Sequence, residues 1–535
     1  MKTLKIILLL SLSSTLGFSQ NTSNAVSKND ILATMKRATQ FMVEKVSYKG
    51  GYVWSYMPDF SRTWGEMEAY KTMIWIQPPG TPTVGNLFLD AYHATKDEYY
   101  YQAALKTAKA LMQAQLPCGG WNYLYDFAGE ESTKKWYSTI GANGWRLEEF
   151  QHYYGNATFD DAGSADAATL LLRLYLERKD PEVKIGLDKA IQFILKSQYP
   201  NGGWPQRYPK GEQFVKQGRP DYTSDITFND DVAIKNINFL IQCHHTLGDK
   251  SLLEPIHKGM EVFLDMQMPK PQSGWAMQYT LDGKPASART YEPVCLSSST
   301  TESNIFQLMY FYQLTGDKKY MARIPEAIEW LDKLRLPDSL IVGNKTHPSF
   351  IEVDTNKPLY IHRKGSNVTN GEYWADYNPK NSVSHYASTR VIYMDSLRKA
   401  YNYLMSLSPE KVTEGSILKT TNYQLPLYFT ERDEKMSDLN SRYLPKMDAN
   451  TETVKKIIAD LNPEGYWPTL LTGASNPYIG PGPKEVIPGD FNTTRVGDKY
   501  DTSPYINKDS QIKGIDCGVY VKDMDVMIEY LRNMK

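Results

Sequence analysis

Two acidic runs and two cationic positions hold most of the chemistry open to this chain. ATFDDAGSADAATLLLRLY sets Asp160, Asp161 and Asp166 just ahead of an apolar helical pattern, and ITFNDDVAIKNINFLI sets Asn229, Asp230 and Asp231 ahead of another. Acidic residues at helix starts ordinarily cap free N–H groups and complement the helix dipole. Two such clusters on neighbouring helix starts, completed by water and an acidic ligand, would also suit calcium, a hard cation that takes about six to eight oxygen ligands. Paired carboxylates could equally supply the acid and the nucleophile or base of a glycoside hydrolase. Arg289, in ARTYEP between two helical patterns, is in the ordinary case an ion-pair partner. Arg363 and Lys364, in KPLYIHRKGS, could clamp a carboxylate, because a guanidinium fork fits one bidentately.

Other chemistries are excluded by what the chain lacks. It has no HExxH, no GxGxxG after a strand pattern, no GKS or GKT phosphate loop and no GxSxG elbow. A formal net charge of -1, from 60 Lys+Arg against 61 Asp+Glu, provides no basic face for phosphate backbones, so nucleic acid is not an expected partner. The four cysteines, Cys118, Cys243, Cys295 and Cys517, form no CxxC pair, which argues against a zinc site. Single buried thiols are the expectation for them. The adjacent His244 and His245 close a helical pattern, where a solvated or capping role is expected.

The elements that must position these groups follow from a repeat. Glycine followed by an aromatic recurs in KGGYVW, CGGWNYLYD, NGGWPQRYP, SGWAMQY, GEYWADYNP and EGYWPTL, at irregular intervals of roughly 70 to 100 residues. Helical patterns such as AALKTAKALMQAQ and GLDKAIQFILKSQYP lie between the marks, with apolar residues spaced by three and four. Helix pairs that cannot bury their faces alone stack on their neighbours, and a curved stack of pairs is a mainly α fold, an irregular or incomplete α/α toroid with its loops gathered at one end. A helical solenoid for protein binding explains the helices but not the recurrent tryptophans. With 38 Tyr, 11 Trp and 17 Phe, the chain is rich in rings that either pack between helices or stack on sugar faces. Trp204 and Arg207, in one such turn, are candidate sugar contacts. The stretch 337 to 388 lacks helical periodicity, and its alternating FIEV and LYIHR indicate short strands in a loop excursion.

MKTLKIILLLSLSSTLGFSQ has the charged start and short apolar run of a secretory signal. The expected division is therefore a signal at 1–20, a toroid at 21–400 and a C-terminal extension at 401–535 that is helical and irregular and could complete the ring. The mature chain is expected to be exported, periplasmic or extracellular, with no membrane span.

FILKSQYPNGGWPQRYP, ITFNDDVAI, WAMQYTLDGKPASARTYEP and the looser TNKPLYIHRKGS, in this order, resemble the family 10 polysaccharide lyases, the pectate lyases with an irregular α/α toroid, over roughly residues 98 to 385. The resemblance implies β-elimination on an acidic polysaccharide, polygalacturonate first, with calcium. It implies that Asp160 is an active-site aspartate, that Asp230 binds calcium with Asp231 or Asp160 beside it, that Arg289 is the base, and that Arg363, with Lys364, holds substrate. EPVCLSSSTTES stands where the family has LPSLSGSES, which implies altered subsites and keeps ulvan or another uronate polymer as an alternative. A hydrolase or an inactive sugar-binding protein on the same scaffold also remains open.

Overall fold

The computed structural model describes residues 26–143, 148–211, 213, 215–216, 219–364, 372–382, 387–419, 428, 448–471, 490–491 and 513–534. The signal-like segment 1–20 lies outside them. Among the described residues the chain is mainly helical, with α1 (Lys28–Phe41), α2 (Thr81–Thr95), α3 (Glu98–Ala114), α4 (Glu130–Thr139), α5 (Gly163–Arg178), α6 (Pro181–Ser197), α7 (Val232–Leu247), α8 (Leu253–Asp265), α9 (Ser298–Thr315), α10 (Ile324–Lys333), α11 (Met394–Ser406), α12 (Pro409–Val412), α13 (Thr451–Asp460) and α14 (Cys517–Asn533).

These helices pack as antiparallel pairs, α2 with α3, α5 with α6, α7 with α8 and α9 with α10. The first member of each pair lies inside: α14, α2, α5 and α7 contact one another in that order, and α9 follows through α8. The result is an irregular α/α toroid. The second members bury a single stripe. In α6 that stripe is Val183, Leu187, Ala190, Ile191 and Ile194, and the helix opens with Pro181 behind Asp180, whose carboxylate accepts from Glu182 N and Val183 N. The C-terminal α14 packs against α1, α2 and α13, and its strand Lys513–Asp516 pairs with Ser55–Tyr56 near the other end of the chain.

The glycine-aromatic turns have one shared structural purpose. The last four carbonyls of a helix have no partner within it. Trp121 Nε1 donates to Leu111 O at the end of α3 (2.8 Å), Trp204 Nε1 to Ile194 O at the end of α6 (2.9 Å), Trp275 Nε1 to Phe263 O at the end of α8 (2.8 Å) and Trp467 Nε1 to Ile457 O at the end of α13 (2.8 Å). A glutamine just past the helix ties the same turn to the next outer unit: Gln115 donates to Gly119 O and Gly186 O, and Gln198 to Gly202 O and Pro255 O. The glycine is required because the chain passes through φ +93° at Gly202, where a Cβ would lie 2.0 Å from Lys258 O.

Short two-stranded ladders follow these turns and carry the chain to the inner helices. Ala157–Thr158 pairs with Arg207–Tyr208, and Ile226–Thr227 with Gln278–Tyr279. The excursion forms strands as expected: Phe350–Ile351, Pro358–Lys364 and Glu372–Asp376 are successive antiparallel neighbours. They cover a small apolar cluster of Met277, Tyr291, Cys295, Phe350, Leu359 and Ile361. All four cysteines are free, with Cys243, Cys295 and Cys517 buried. His244 Nδ1 lies 2.7 Å from Asp249 O in the loop just past α7. No helix among the described residues is long and apolar enough to cross a membrane.

Trp204→Phe removes the indole donor and leaves Ile194 O to the Ser197 hydroxyl alone (3.1 Å), so it is expected to cost roughly 0.5–1.5 kcal/mol of stability in denaturant unfolding. The affinity for oligouronates of the folded variant should stay at the wild-type value. A fall in that affinity with unchanged stability would return the ring to the sugar site.

Candidate functional site

The two acidic runs occupy equivalent places in successive units. Each leaves its short strand, at Thr158 and Thr227, and turns into an inner helix through two consecutive left-handed residues: Asp161 (φ +51°) and Ala162 (φ +60°) before α5, Asp230 (φ +54°) and Asp231 (φ +58°) before α7. Backbone in this region costs free energy for residues other than glycine and persists where the surroundings demand it. Here the double kink brings side chains of adjacent units face to face. One oxygen each of Asp160, Asp161 and Asp230 falls within a 4.8 Å group.

Asp231 lies outside that group. In the register of the two turns, Asp161 matches Asp230, and Asp231 matches Ala162, one step further round the left-handed turn. The Asp231 carboxylate is instead partnered electrostatically by Lys235. The acidic group that the structure assembles is thus Asp160, Asp161 and Asp230, where the sequence suggested Asp160, Asp230 and Asp231. The signal was present in the sequence, since TFDD and TFNDD place Asp161 and Asp230 equally far from their threonines.

Arg289 joins these turns to a third unit. Its guanidinium is buried, and it bonds Asp160 Oδ2 through Nη2 (3.1 Å), Glu149 Oε2 through Nε (3.2 Å) and Glu292 Oε1 through Nη1 (3.2 Å), with Asp230 Oδ2 3.9 Å from Nη1. Its own backbone N–H donates to Glu292 Oε2 (2.9 Å), and Glu148 accepts from Thr290 N (3.1 Å), so the loop is held at both residues. Glu292, three residues along in ARTYEP, and Glu149 were not singled out from the sequence. The tyrosine hydroxyl of Tyr123 donates to Asp160 in a very short bond.

Charge and burial work against each other here. Burial raises Asp160, but the Arg289 guanidinium and hydrogen bonds from Asp230 and Tyr123 outweigh it and hold Asp160 below its usual range. Asp230 moves the other way: burial, the Asp160 charge and hydrogen bond, and the Asp161 charge push it well above the usual carboxylate range. Glu149 is pushed up to about 8 by burial, which prevails over the Arg289 charge and is reinforced by Glu66 and Asp160. The buried Oδ1 of Asp160 receives no hydrogen bond from a backbone, hydroxyl or cationic donor. An all-oxygen donor set, an orphaned buried carboxylate oxygen and crowded negative charge fit a hard divalent cation.

The remaining expected contacts separate. Trp204 is fully buried in the core and spends its N–H on Ile194 O, so it presents no face to a sugar. Arg207 is also corrected: it is 1% exposed, donates to Asn122 Oδ1 and Asn156 Oδ1 (both 3.2 Å), and lies over the rings of Tyr123 and Tyr154. Its charge helps hold Asp160 below its usual range, and its buried Nε and Nη2 have no hydrogen-bond partner among the described residues. Arg363 and Lys364 end the strand Pro358–Lys364, paired in register with Tyr373 and Glu372; their side chains lie outside the described set. The Tyr373 ring is 6.3 Å from that of Tyr291, two residues from Arg289, so this strand pair borders the site.

Residues 134–373 match the family model described as pectic acid lyase, which bears out the resemblance read from the motifs. The matched segment, a lyase-like carbohydrate-active domain, contains Asp160, Asp161, Asp230, Arg289 and Arg363. Among solved structures, the family 10 polysaccharide lyase from Cellvibrio cellulosa is similar, at 16% identity and a TM-score of 0.40, over 61% of this chain and 97% of that one. A mutant of that lyase in complex with trigalacturonic acid gives the same identity and score over 61% and 98%. A GH76 α-mannanase from Bacteroides thetaiotaomicron is similar at 9% identity and a TM-score of 0.35, over 96% of this chain and 97% of that one. No curated protein matches the chain.

The raised Glu149 sets a pH dependence. A carboxyl whose folded pKa is about 8, against an ordinary 4.5, stabilises the fold fully below about pH 4.5, and that contribution is lost as pH climbs to about 8. In chelator-treated protein, Glu149→Gln should flatten this decline by roughly 2–4 kcal/mol, read from unfolding curves at pH 5 and pH 8.

Proposed function

We propose that this chain, with a pectic acid lyase segment at residues 134–373, cleaves a uronate polymer by calcium-assisted β-elimination, with polygalacturonate the first candidate substrate. The observation that carries the reading is the meeting of Asp160, Asp161 and Asp230 in one 4.8 Å group with the buried guanidinium of Arg289 bonded to one of its members.

In this reading Asp160, Asp161 and Asp230 would hold calcium. Calcium bound there supplies positive charge that attracts the uronate carboxylate and acidifies the neighbouring C5 proton. Arg289 accepts that proton. The electron pair of the C–H bond becomes the C4–C5 double bond, the C4–O bond breaks, and the leaving oxygen takes a proton from solvent, to which Arg289 afterwards returns its own, so no water is added across the bond. Arg363 and Lys364 hold a substrate carboxylate at the border of the site.

The arrangement makes the base role demanding. An arginine has an unperturbed pKa of about 12.5 to 13.8, and the carboxylates of Asp160, Glu149 and Glu292 stabilise its protonated form further. Drawing two of the neighbouring carboxylates, Asp160 and Asp230, to a cation relieves part of that stabilisation. The cost that remains predicts an alkaline optimum.

Purified protein with polygalacturonate should therefore give absorbance near about 235 nm, the region of a conjugated unsaturated uronate, rising from pH 6 to roughly pH 9 and abolished by chelation. Saturated reducing ends without absorbance would establish a hydrolase instead, and binding without either product would establish a binding protein. Arg289→Lys keeps a charge among the carboxylates, so it should fold where Arg289→Ala leaves buried charges unpaired. It is expected to lose about 1,000-fold or more in kcat while still binding oligouronates. A tenth of wild-type turnover in that variant rules Arg289 out as the base.

A further inference from the structure

Gln77 lies in the N-terminal region, well before the segment matched by the family model, yet its amide reaches the acidic group. Its Nε2 donates to Asp161 Oδ2 (2.7 Å) and to Glu66 Oε2 (3.1 Å), while its Oε1 accepts from Trp75 Nε1 (2.7 Å). The side chain is 1% exposed. An indole N–H can only donate and an ionised carboxylate can only accept, so these partners allow one orientation of the amide, with the nitrogen toward Asp161. The backbone is held as well: Gln77 O accepts from Trp54 Nε1 (3.0 Å), and the strand Met73–Trp75 pairs with Leu124–Asp126.

The contact with the helix start is equally close. A Cβ on Gly163, the first residue of α5, would lie 3.5 Å from Gln77 N and 3.4 Å from Ile76 Cγ2, so the turn bearing Asp160 and Asp161 is seated directly on this backbone. Asp161 is a left-handed residue, and its carboxylate direction is set by this neighbour as well as by its own turn.

We propose that Gln77 is a positioning residue for the cation site, orienting Asp161 from outside the family-matched segment. The proposal rests on the calcium reading above. Partners that orient a metal-binding carboxylate typically change metal affinity by about 10- to 100-fold when removed. The N-terminal region then completes the site, and the matched segment alone would bind the cation more weakly.

The test uses the full chain and the metal alone: terbium(III) is titrated to a luminescent complex and displaced with calcium, giving calcium affinities without turnover. Gln77→Met fills the same space without donors. It is expected to weaken calcium about 10-fold or more, and to have no further effect in an Asp161→Ala background, because Gln77 acts through Asp161. At saturating calcium, kcat on polygalacturonate should stay within about 3-fold of wild type, a small effect beside loss of a reacting group. Equal losses in both backgrounds, or wild-type affinity in Gln77→Met, overturn the proposal. If Gln77→Met does not fold, Gln77→Asn, one methylene shorter, keeps an amide below Trp75 but withdraws it from Asp161, and the same two outcomes decide. Wild-type protein that binds neither ion overturns the calcium reading and this proposal together, whereas wild-type binding with an indifferent Gln77 overturns this proposal alone.

Discussion

The buried guanidinium of Arg289 is the point on which the site depends. It bonds carboxylates from three separate stretches of chain, Glu149, Asp160 and Glu292, and stands 3.9 Å from a fourth, Asp230. Removing one partner from such an arrangement leaves an uncompensated charge in a low-dielectric interior, which costs more than an exposed ion pair contributes. The loop carrying Arg289, the turn before α5 and the turn before α7 are therefore mutually constrained. The two turns can keep their left-handed residues because the Arg289 loop and one another hold them there.

That arrangement is not electrically balanced by the protein alone. Arg207 adds a second buried guanidinium behind Asp160, but Asp161, Asp230, Glu66 and Glu149 remain gathered around the same few ångströms of space. The chain relieves the excess by raising Asp230 and Glu149 rather than by adding cations. Such a site favours whatever brings positive charge, and a bound cation with an anionic sugar is a chemically economical answer to it. The same field that fits a cation stabilises protonated Arg289, so cation binding and proton abstraction are coupled through the shared carboxylates.

The scaffold reaches this geometry by a repeated local device. The outer helices α3, α6 and α8 each end in a turn whose tryptophan satisfies a terminal carbonyl and whose glutamine reaches the next outer unit. Successive units are thereby stacked at a fixed offset, and the short ladder after each turn delivers the chain to an inner helix at the same end of the toroid. The acidic turns of α5 and α7 meet because they are the same element in adjacent units. Rings that looked like sugar platforms are the fastenings of this stack.

Local pattern sufficed for the helices, the glycine-aromatic repeat and the strands of the 350–376 excursion, because periodicity and turn chemistry are encoded within a few residues of one another; only the resemblance in motif order drew Asp160, Asp230 and Arg289 together. The direction of a side chain is not encoded so locally. Trp204 and Arg207 read as exposed contacts and proved to be buried, since only the stacked neighbour reveals which carbonyl or ring each one meets. Asp161 displaced Asp231 from the acidic group because two successive left-handed residues rotate the chain by a step that spacing alone does not record. Glu149 and Gln77 stood in no motif at all. They enter the site because tertiary packing sets residues far apart in the chain around Asp160, Asp161 and Arg289, and the electrostatics of that enclosure belong to the fold rather than to any segment of the sequence.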